Sequence, residues 1–419
     1  MHKRFLILLI LQIAFLLTHA QSFNEYFEDA TLRIDYIFAG NKTHQAIYLD
    51  ELKQLPKWNG RMVNLDTLAI VGNGNITVRN HKNGNIIYRQ AFSTLFQEWL
   101  SYDEAEVQSR SFENVFLIPF PKDTVDITVS LFDNRLQTMC ELTHMVAPKD
   151  ILIHKMGYSN VTPYDVIQEA NASENCVRIA YLAEGFTEAS MPHFIEKANE
   201  ANEALFSHEP FKSMRDRFEV VAVKAVSKEE GTSTPSEGDW RNTVLSSHFD
   251  TFYSNRYLTT LNIKDMHDQL AGTPYDHIIV LVNTEHYGGG GIFNSYNLTM
   301  TDNPKFKPVV VHEFGHSFAG LADEYAYEEE DVPVYPLDVE PWEKNITTLT
   351  DFSKKWKSMA DSKEHEGVGL YEGAGYSLKG VYRPCKDCRM RTNENPKFCP
   401  VCERAIKDII DFYTITLKK

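Results

Sequence analysis

The spacing of hydrophobic and polar residues changes along the chain and predicts two kinds of structure. Between residues 30 and 145, apolar side chains recur at every second position, as at Leu32, Ile34, Tyr36 and Phe38. A period of two is typical of strands that bury one face. The same alternation returns at Val125, Ile127, Val129 and Leu131.

Turn residues separate these alternating runs. Asn73-Gly74 and Asn83-Gly84 each contain the Asn-Gly pair that suits a tight hairpin between strands. Short strands joined by such turns pack face to face when their apolar sides are buried. We therefore expect the N-terminal region to form a β-sandwich.

Beyond about residue 176 the pattern becomes mixed. Cys176 to Ala183, Phe218 to Val226 and Tyr275 to Asn283 are short apolar runs typical of buried strands, whereas Thr187 to Leu205 has the length and spacing of a helix. The predicted fold class is therefore mixed α+β, in which an α/β domain with a mixed sheet follows the sandwich.

The first twenty residues indicate a signal peptide. His2, Lys3 and Arg4 precede an apolar run, and small residues before position 20 suit cleavage after Ala20. We expect export to the periplasm, the cell surface or the medium, and no later segment is long and apolar enough to span a membrane. The predicted divisions are a signal peptide at 1–20, a β-sandwich domain at 21–150, a linker at 151–175 and a second, mixed α/β domain at 176–419.

Charge narrows the choice of partners. The 419 residues include 58 acidic and 42 basic side chains, which gives a formal net charge of −16. An acidic surface of this kind disfavours nucleic acid and anionic lipid as partners. The sequence contains no pattern that predicts an oligomeric state.

The chemistry is concentrated in VHEFGHSFAGLADEY, residues 311–325. Pro308 suits the start of a helix and Gly320 suits its end. His312 and His316 lie one helical turn apart on one face, close enough to bind one zinc ion. The opposite face is apolar and consists of Val310, Val311, Phe314 and Phe318.

A catalytic zinc ion keeps one coordination position open, so a third protein ligand is required. After Gly320 the chain can fold back and bring Asp323 or Glu324 to the metal, and we favour Asp323. Glu313, beside the first histidine, is the expected general base for a water molecule activated by zinc. The alternative is an exposed helix without metal, which the apolar face, the terminating glycine and the acidic pair disfavour.

Three segments resemble the clostridial IgA-peptidase family of secreted zinc metallopeptidases, in its Bacteroidetes-type, metzincin-like form. They are HEFGHSFAGLADEY, NTEHYGGGG at 283–291, and YRPCKDCRMR with FCPVC at 382–402. The resemblance implies a metzincin-like catalytic domain with one catalytic zinc ion, in which His312, His316 and Asp323 are ligands and Glu313 is the base. The spacing differs from the usual metzincin pattern, since the glycine follows the second histidine by four residues and the third ligand is an aspartate.

Met390 and the cysteines around it invite further interpretations. Met390 could simply fill the core, but the resemblance implies the methionine turn beneath the zinc site. The four cysteines could form two disulfides, which an oxidising compartment favours, or a structural zinc site. They are Cys385, Cys388, Cys399 and Cys402.

The glycine run at 288–291 does not predict a nucleotide site, because it lacks the Lys-Ser/Thr of a phosphate-binding loop. We expect a flexible rim beside the cleft, followed by an edge strand at 292–297 that pairs with extended peptide.

Together these features predict a secreted zinc endopeptidase that hydrolyses protein or peptide substrates. A binding or adhesion protein with a peptidase-like domain is one alternative, and a zinc amidase acting on cell-wall or glycopeptide substrates is another. The presence of Glu313 favours an enzyme, because a relic that binds without catalysis would be expected to have lost its general base.

Overall fold

The computed structural model describes residues 23–172, 175–327 and 335–417, so the predicted signal peptide lies outside the described residues. Within these ranges the fold is mixed α+β, with four sheets. No helix in the described part of the chain is long and apolar enough to cross a membrane.

The N-terminal region supplies two four-stranded sheets, with strand orders β5-β1-β2-β8 and β4-β3-β6-β7. Their inner faces contribute to one apolar cluster. The strands are β1 Phe27–Gly40, β2 Gln45–Leu55, β3 Gly74–Asn80, β4 Ile86–Phe92, β5 Arg110–Pro121, β6 Val125–Phe132, β7 Thr138–Val146 and β8 His154–Lys155.

The predicted turns have different outcomes. Asn83-Gly84 joins β3 to β4 as a hairpin, with Gly84 at a left-handed φ of 72°. The prediction of a hairpin at Asn73-Gly74 is wrong, because Gly74 begins β3 and the preceding strand, β2, belongs to the other sheet. The Asn-Gly pair has the same turn preference in both places, but only at Asn83-Gly84 do the strands on either side pair with each other.

The C-terminal region is built on a six-stranded sheet of order β13-β14-β12-β10-β11-β9. Its four inner strands run parallel and the two edge strands run antiparallel, so the predicted mixed sheet is confirmed. A two-stranded hairpin, β15-β16, follows. The strands are β9 Tyr164–Gln168, β10 Val177–Glu184, β11 Phe218–Val223, β12 His277–Val282, β13 Gly289–Ile292, β14 Tyr296–Met300, β15 Tyr371–Ala374 and β16 Ser377–Arg383.

Helices cover one face of this sheet, where a second apolar cluster forms. The three long ones, α4, α6 and α8, contribute most of its helical side chains. The helices are α1 Phe23–Tyr26, α2 Leu95–Trp99, α3 Glu104–Val107, α4 Met191–Leu205, α5 Ile263–Gln269, α6 Phe306–Ala319, α7 Lys357–Ala360 and α8 Pro400–Thr414.

The other face of the six-stranded sheet shares the apolar cluster of the N-terminal sheets. This contact buries charged residues on the face of β1 that alternation predicts to be outside. Arg33 and Asp35 are fully buried. Arg33 reaches Asp268 of α5 at 2.5 Å, and Lys53 pairs with Asp35 at 2.9 Å. The simple alternation is therefore wrong at these positions, because α5 covers the second face of the strand.

Candidate metal centre

The helix that carries the histidines is α6. It begins at Phe306, two residues before the predicted start, and Pro308 lies in its first turn, where a missing N–H leaves no helical hydrogen bond unmade. The helix ends at Gly320, as predicted, in a left-handed conformation with φ 57°. The predicted apolar residues are buried. They are Val310, Val311, Phe314 and Phe318.

The opposite face of α6 carries His312, Glu313 and His316, which remain partly accessible. The side chains of His312 and His316 are 13% and 15% exposed. After Gly320 the chain folds back over them. Asp323 Oδ1 then lies 3.0 Å from His312 Nε2 and 3.3 Å from His316 Nε2.

The hydrogen bonds of the two rings determine which nitrogens carry protons. His312 Nδ1 donates to the carbonyl of Arg389 at 3.0 Å, and His316 Nδ1 donates to the carbonyl of Leu321 at 2.6 Å. A carbonyl oxygen only accepts, so in the neutral rings both Nε2 atoms carry lone pairs. These two atoms lie 3.0 Å apart.

Three electron-rich atoms therefore meet at one point. No described group donates a well-formed hydrogen bond to Asp323 Oδ1, which is buried. The two Nε2 atoms and this oxygen all lie within 4.8 Å of one another. Such a group of acceptors repels itself unless a cation lies between them, and two histidines with one carboxylate form a donor set suited to zinc. The residues present therefore fit a metal ion.

Electrostatics lead to the same conclusion. Burial acts to lower the pKa of His316, but the Asp323 carboxylate raises it to about 9. Burial acts to raise the pKa of Asp323, but His316 and His312 hold it well below its ordinary value. The geometry thus favours a positive charge at this point, whether a proton or a metal supplies it.

Glu313 is held close to the glycine run. A Cβ atom on Gly289 would lie 2.7 Å from Glu313 Oε1, and one on Gly291 would lie 2.6 Å from the Glu313 carbonyl oxygen. The glycines therefore allow β13 to lie directly against α6. Burial raises the pKa of the Glu313 carboxyl, and the two histidines act in the opposite direction.

The predicted edge strand has to be corrected. The glycines themselves form β13, and the predicted strand at 292–297 instead contains the turn into β14. Gly289 is already paired on its outer side, where its N–H donates to Arg256 and its carbonyl accepts from Leu258. At Gly289 the outer side of β13 is therefore occupied by residues 256–258, so an extended peptide cannot pair there.

Met390 lies beneath α6. It is fully buried, and a Cβ atom on Gly315, between the two histidines, would lie 2.7 Å from its sulfur. The neighbouring carbonyl of Arg389 orients His312, and the carbonyl of Met390 accepts the N–H of Glu324 at 2.8 Å. This short segment therefore supports both the helix and the returning chain.

Tyr376 belongs to the site, although the sequence analysis missed it. Its hydroxyl donates a short hydrogen bond to Asp323 Oδ2, and its N–H donates to the carbonyl of Tyr325 at 3.0 Å. It lies in the turn between β15 and β16 with a left-handed φ of 64°. The sequence contains no signal for it, since the hydroxyl reaches a residue 53 positions earlier.

Glu324 points away from the histidines. It is fully buried, and its Oε1 accepts from Asn345 Nδ2 at 3.0 Å and from the Cys402 thiol at 3.1 Å. The four cysteines for which the sequence allows disulfides or a zinc site are free thiols in the structure, and Cys388 Sγ lies 3.8 Å from Cys402 Sγ. Of the two acids considered as third ligand, the structure brings Asp323 to the histidines and Glu324 to the cysteines.

Comparison with known families covers most of the chain. The family described as IgA Peptidase M64 matches residues 166–365 and 358–410, and the family described as Peptidase M64 N-terminus matches residues 22–143. No match was found among curated proteins. The predicted family resemblance is confirmed, and the family implies a peptidase, which acts on protein or peptide substrates. The chain therefore belongs to the IgA peptidase M64 family of metallopeptidases.

Proposed function

We propose that the protein is a secreted zinc endopeptidase whose metal is held by His312, His316 and Asp323 and whose general base is Glu313. One observation carries the proposal. Two bare imidazole nitrogens and a buried carboxylate oxygen converge within 4.8 Å, beside a second carboxylate on the same helix.

The ligands differ in how they are supported. Each histidine is oriented by a backbone carbonyl, and Asp323 is oriented by the hydroxyl of Tyr376. Such outer contacts fix the ring orientation and strengthen the ligand. His312, His316 and Asp323 would hold a zinc ion, which would supply Lewis acidity for polarising the scissile carbonyl and acidifying a water molecule.

Glu313 then performs the proton transfers. It lies one residue from His312 and shares the accessible face of α6. In the proposed reaction its carboxylate accepts a proton from the attacking water and returns it to the nitrogen of the leaving amine. The close approach of Gly289 limits the movement of this side chain.

We also propose a β-sandwich domain at 21–150, a linker at 151–175 and a metzincin-like catalytic domain at 176–419. The shared apolar cluster of the two N-terminal sheets supports the sandwich, and Met390 beneath α6 supports the metzincin-like arrangement. The separate family matches at 22–143 and 166–410 support two domains, although β9, within the proposed linker, already pairs with the sheet of the second domain.

Secretion rests on the basic, apolar and small residues of positions 1–20. N-terminal sequencing of protein recovered outside the cytoplasm should begin at Gln21. Recovery of an intact N-terminus in the cytoplasm alone would contradict export.

The activity is tested with Glu313→Gln and His312→Ala, each incubated with a broad peptide library that is analysed by mass spectrometry. Glu313→Gln should keep its metal and fold but lose cleavage by several orders of magnitude. His312→Ala should lose both metal and cleavage, because two protein ligands hold zinc poorly. Glu364→Gln, at an exposed position, is the control and should behave as wild type.

The same assay separates the alternatives. A binding or adhesion protein would show no cleavage by wild type, together with equal ligand binding by wild type and Glu313→Gln. A zinc amidase would leave the peptide library intact and cleave cell-wall peptides or glycopeptides. The presence of Glu313 within the histidine pair favours catalysis.

A further inference from the structure

A second group of metal-binding side chains lies behind the catalytic helix. Glu324 and three cysteines, Cys388, Cys399 and Cys402, place one ligand atom each within 4.8 Å of one another. All four are buried, with exposures of 0%, 0%, 4% and 0% respectively. They lie on the opposite side of the returning chain from the histidines, since Asp323 and Glu324 are adjacent residues pointing in different directions.

The carboxylate of Glu324 is incompletely satisfied. Its Oε1 accepts from Asn345 and Cys402, but Oε2 is buried without a partner among the described residues. A buried carboxylate oxygen without a donor is unfavourable unless a proton or a metal ion compensates it. Because Oε1 already contacts Cys402, a metal ion held by the cysteines would compensate this carboxylate.

The sulfur of Cys388 faces backbone donors. It accepts the backbone N–H of Cys399 at 3.2 Å and that of Met390. The sulfur of Cys402, whose proton is donated to Glu324, lies 3.8 Å away. Backbone N–H groups directed at a sulfur stabilise a thiolate, which is the form that binds metal. The sulfur in a disulfide is a weak acceptor and gains little from such donors.

We propose that Cys388, Cys399, Cys402 and Glu324 bind a second divalent metal ion of the zinc class, which has a structural role. Four protein donors complete a tetrahedral shell, so no position is left open for a substrate. Burial of all four excludes exchangeable water. Cys385, which is partly exposed and contacts Cys399, is a neighbour rather than a ligand.

The second metal site would stabilise the two segments that hold the catalytic ligands. Cys388 immediately precedes Arg389, whose carbonyl orients His312, and Met390, whose sulfur lies under Gly315. Glu324 immediately follows Asp323. A metal ion joining Cys388 to Glu324 thus fixes both segments that hold the catalytic ligands.

Elemental analysis of purified protein tests the proposal independently of activity. Wild type should contain two zinc ions per chain, and Cys388→Ser and Cys402→Ser should each contain one. The control Cys140→Ser changes a cysteine of β7 outside the cluster and should retain two. His312→Ala should also retain one, and the double variant of His312→Ala with Cys388→Ser should retain none.

The Glu324 ligand has its own test. Glu324→Gln should lose the second metal ion, whereas Cys385→Ser should keep it. If Glu324→Gln kept the second metal ion and Cys385→Ser lost it, Glu324 would not be a ligand and a site of four cysteines would be favoured.

A measurement on wild type keeps the proposal testable if the cysteine variants do not fold. An organomercurial titrated into the protein with a zinc-sensitive dye should release one zinc ion per chain as the thiols react. Non-reducing peptide mapping should find residues 385–402 without disulfide links. One zinc ion per chain, together with disulfide-linked peptides from this segment, would overturn the proposal and leave the catalytic site unaffected.

Discussion

The hydroxyl of Tyr376 fixes one oxygen of Asp323 and leaves the other facing the histidines. Tyr376→Phe removes that donor without changing the shape of the side chain. We expect zinc affinity to fall about tenfold to a hundredfold, as is usual when an outer contact of a ligand is lost, while the fold is kept. Competition with a chelator measures the change.

The control for this variant is Tyr371→Phe. Tyr371 is a tyrosine of the same hairpin whose hydroxyl donates to the carbonyl of Gly367, away from the site. Equal zinc affinity in the two variants would show that the Asp323 contact is unimportant.

Asp276 is expected to make stability depend on pH. Burial raises its pKa to about 7, although Arg61 and Arg178 act to lower it. The unfolded chain releases this proton near pH 4, so stability decreases as pH rises from about 4 to 7. Asp276→Asn has no carboxyl to ionise at this buried position. Its free energy of unfolding, relative to that of wild type, should therefore be up to about 4 kcal/mol higher at pH 8 than at pH 4.

Urea unfolding of wild type and Asp276→Asn at both pH values measures this difference. Asp361→Asn, at an exposed position, serves as the control. A difference between wild type and Asp276→Asn that stays constant with pH would contradict the explanation.

At the scale of elements, the end of α6 leaves no room for a side chain at Gly320. Gly320 has φ 57°, and a Cβ atom there would lie 2.6 Å from the ring of Trp342 and 2.8 Å from Ile70. Gly320→Ala therefore combines backbone strain with overpacking and should destabilise the protein by about 2–4 kcal/mol. The urea midpoint should fall accordingly.

Gly238→Ala separates the two contributions. Gly238 has a similar φ of 72°, but a Cβ atom there would meet no heavy atom within 4 Å. This variant should show only the loss due to backbone strain, about 1 kcal/mol. Equal losses at Gly320 and Gly238 would mean that the contacts with Trp342 and Ile70 have no effect.

Local patterns predicted the elements well where neighbours in sequence determine them. The run at 275–283 became the central strand β12, and helical spacing placed His312 and His316 on one face of α6. Patterns failed where distant segments decide the environment. Arg33 is buried by a helix more than 200 residues away, and Tyr376 reaches the site from a hairpin far downstream.

The glycine run illustrates the same limit. Four glycines in succession predict flexibility, and the structure instead uses two of them for close packing of β13 against α6. The sequence does not show which surface a glycine faces, so a tight contact and a mobile loop give the same pattern. Met390 is similar, because its burial beneath Gly315 depends on a contact across 75 positions.

At the scale of the whole molecule, Asp35 lies in a buried network that connects the N-terminal sheets to α5. It pairs with Arg33 at 2.7 Å and with Lys53 at 2.9 Å, and Arg33 continues to Asp268. Asp35→Ala leaves two largely buried cations with less compensation, so we expect a loss of about 3–5 kcal/mol in unfolding free energy.

Urea unfolding measures the effect of Asp35→Ala, and Glu106→Ala is the matched control. Glu106 forms an exposed pair with Lys42 at 2.8 Å, and solvent screens such a pair almost completely. Its loss should leave the midpoint nearly unchanged. If Asp35→Ala lowered the urea midpoint as little as Glu106→Ala, the buried network would not stabilise the contact between the N-terminal sheets and α5.

The complete burial of Met390 has a chemical consequence when the protein encounters peroxide. Met139 and Met145 are 48% and 59% exposed, so they are converted to sulfoxides first. Oxygen added to the sulfur of Met390 would have no room beneath Gly315, and it would push away the carbonyl that orients His312. We therefore expect peroxide to oxidise Met139 and Met145 before Met390, and inactivation through Met390 to begin only when the protein opens.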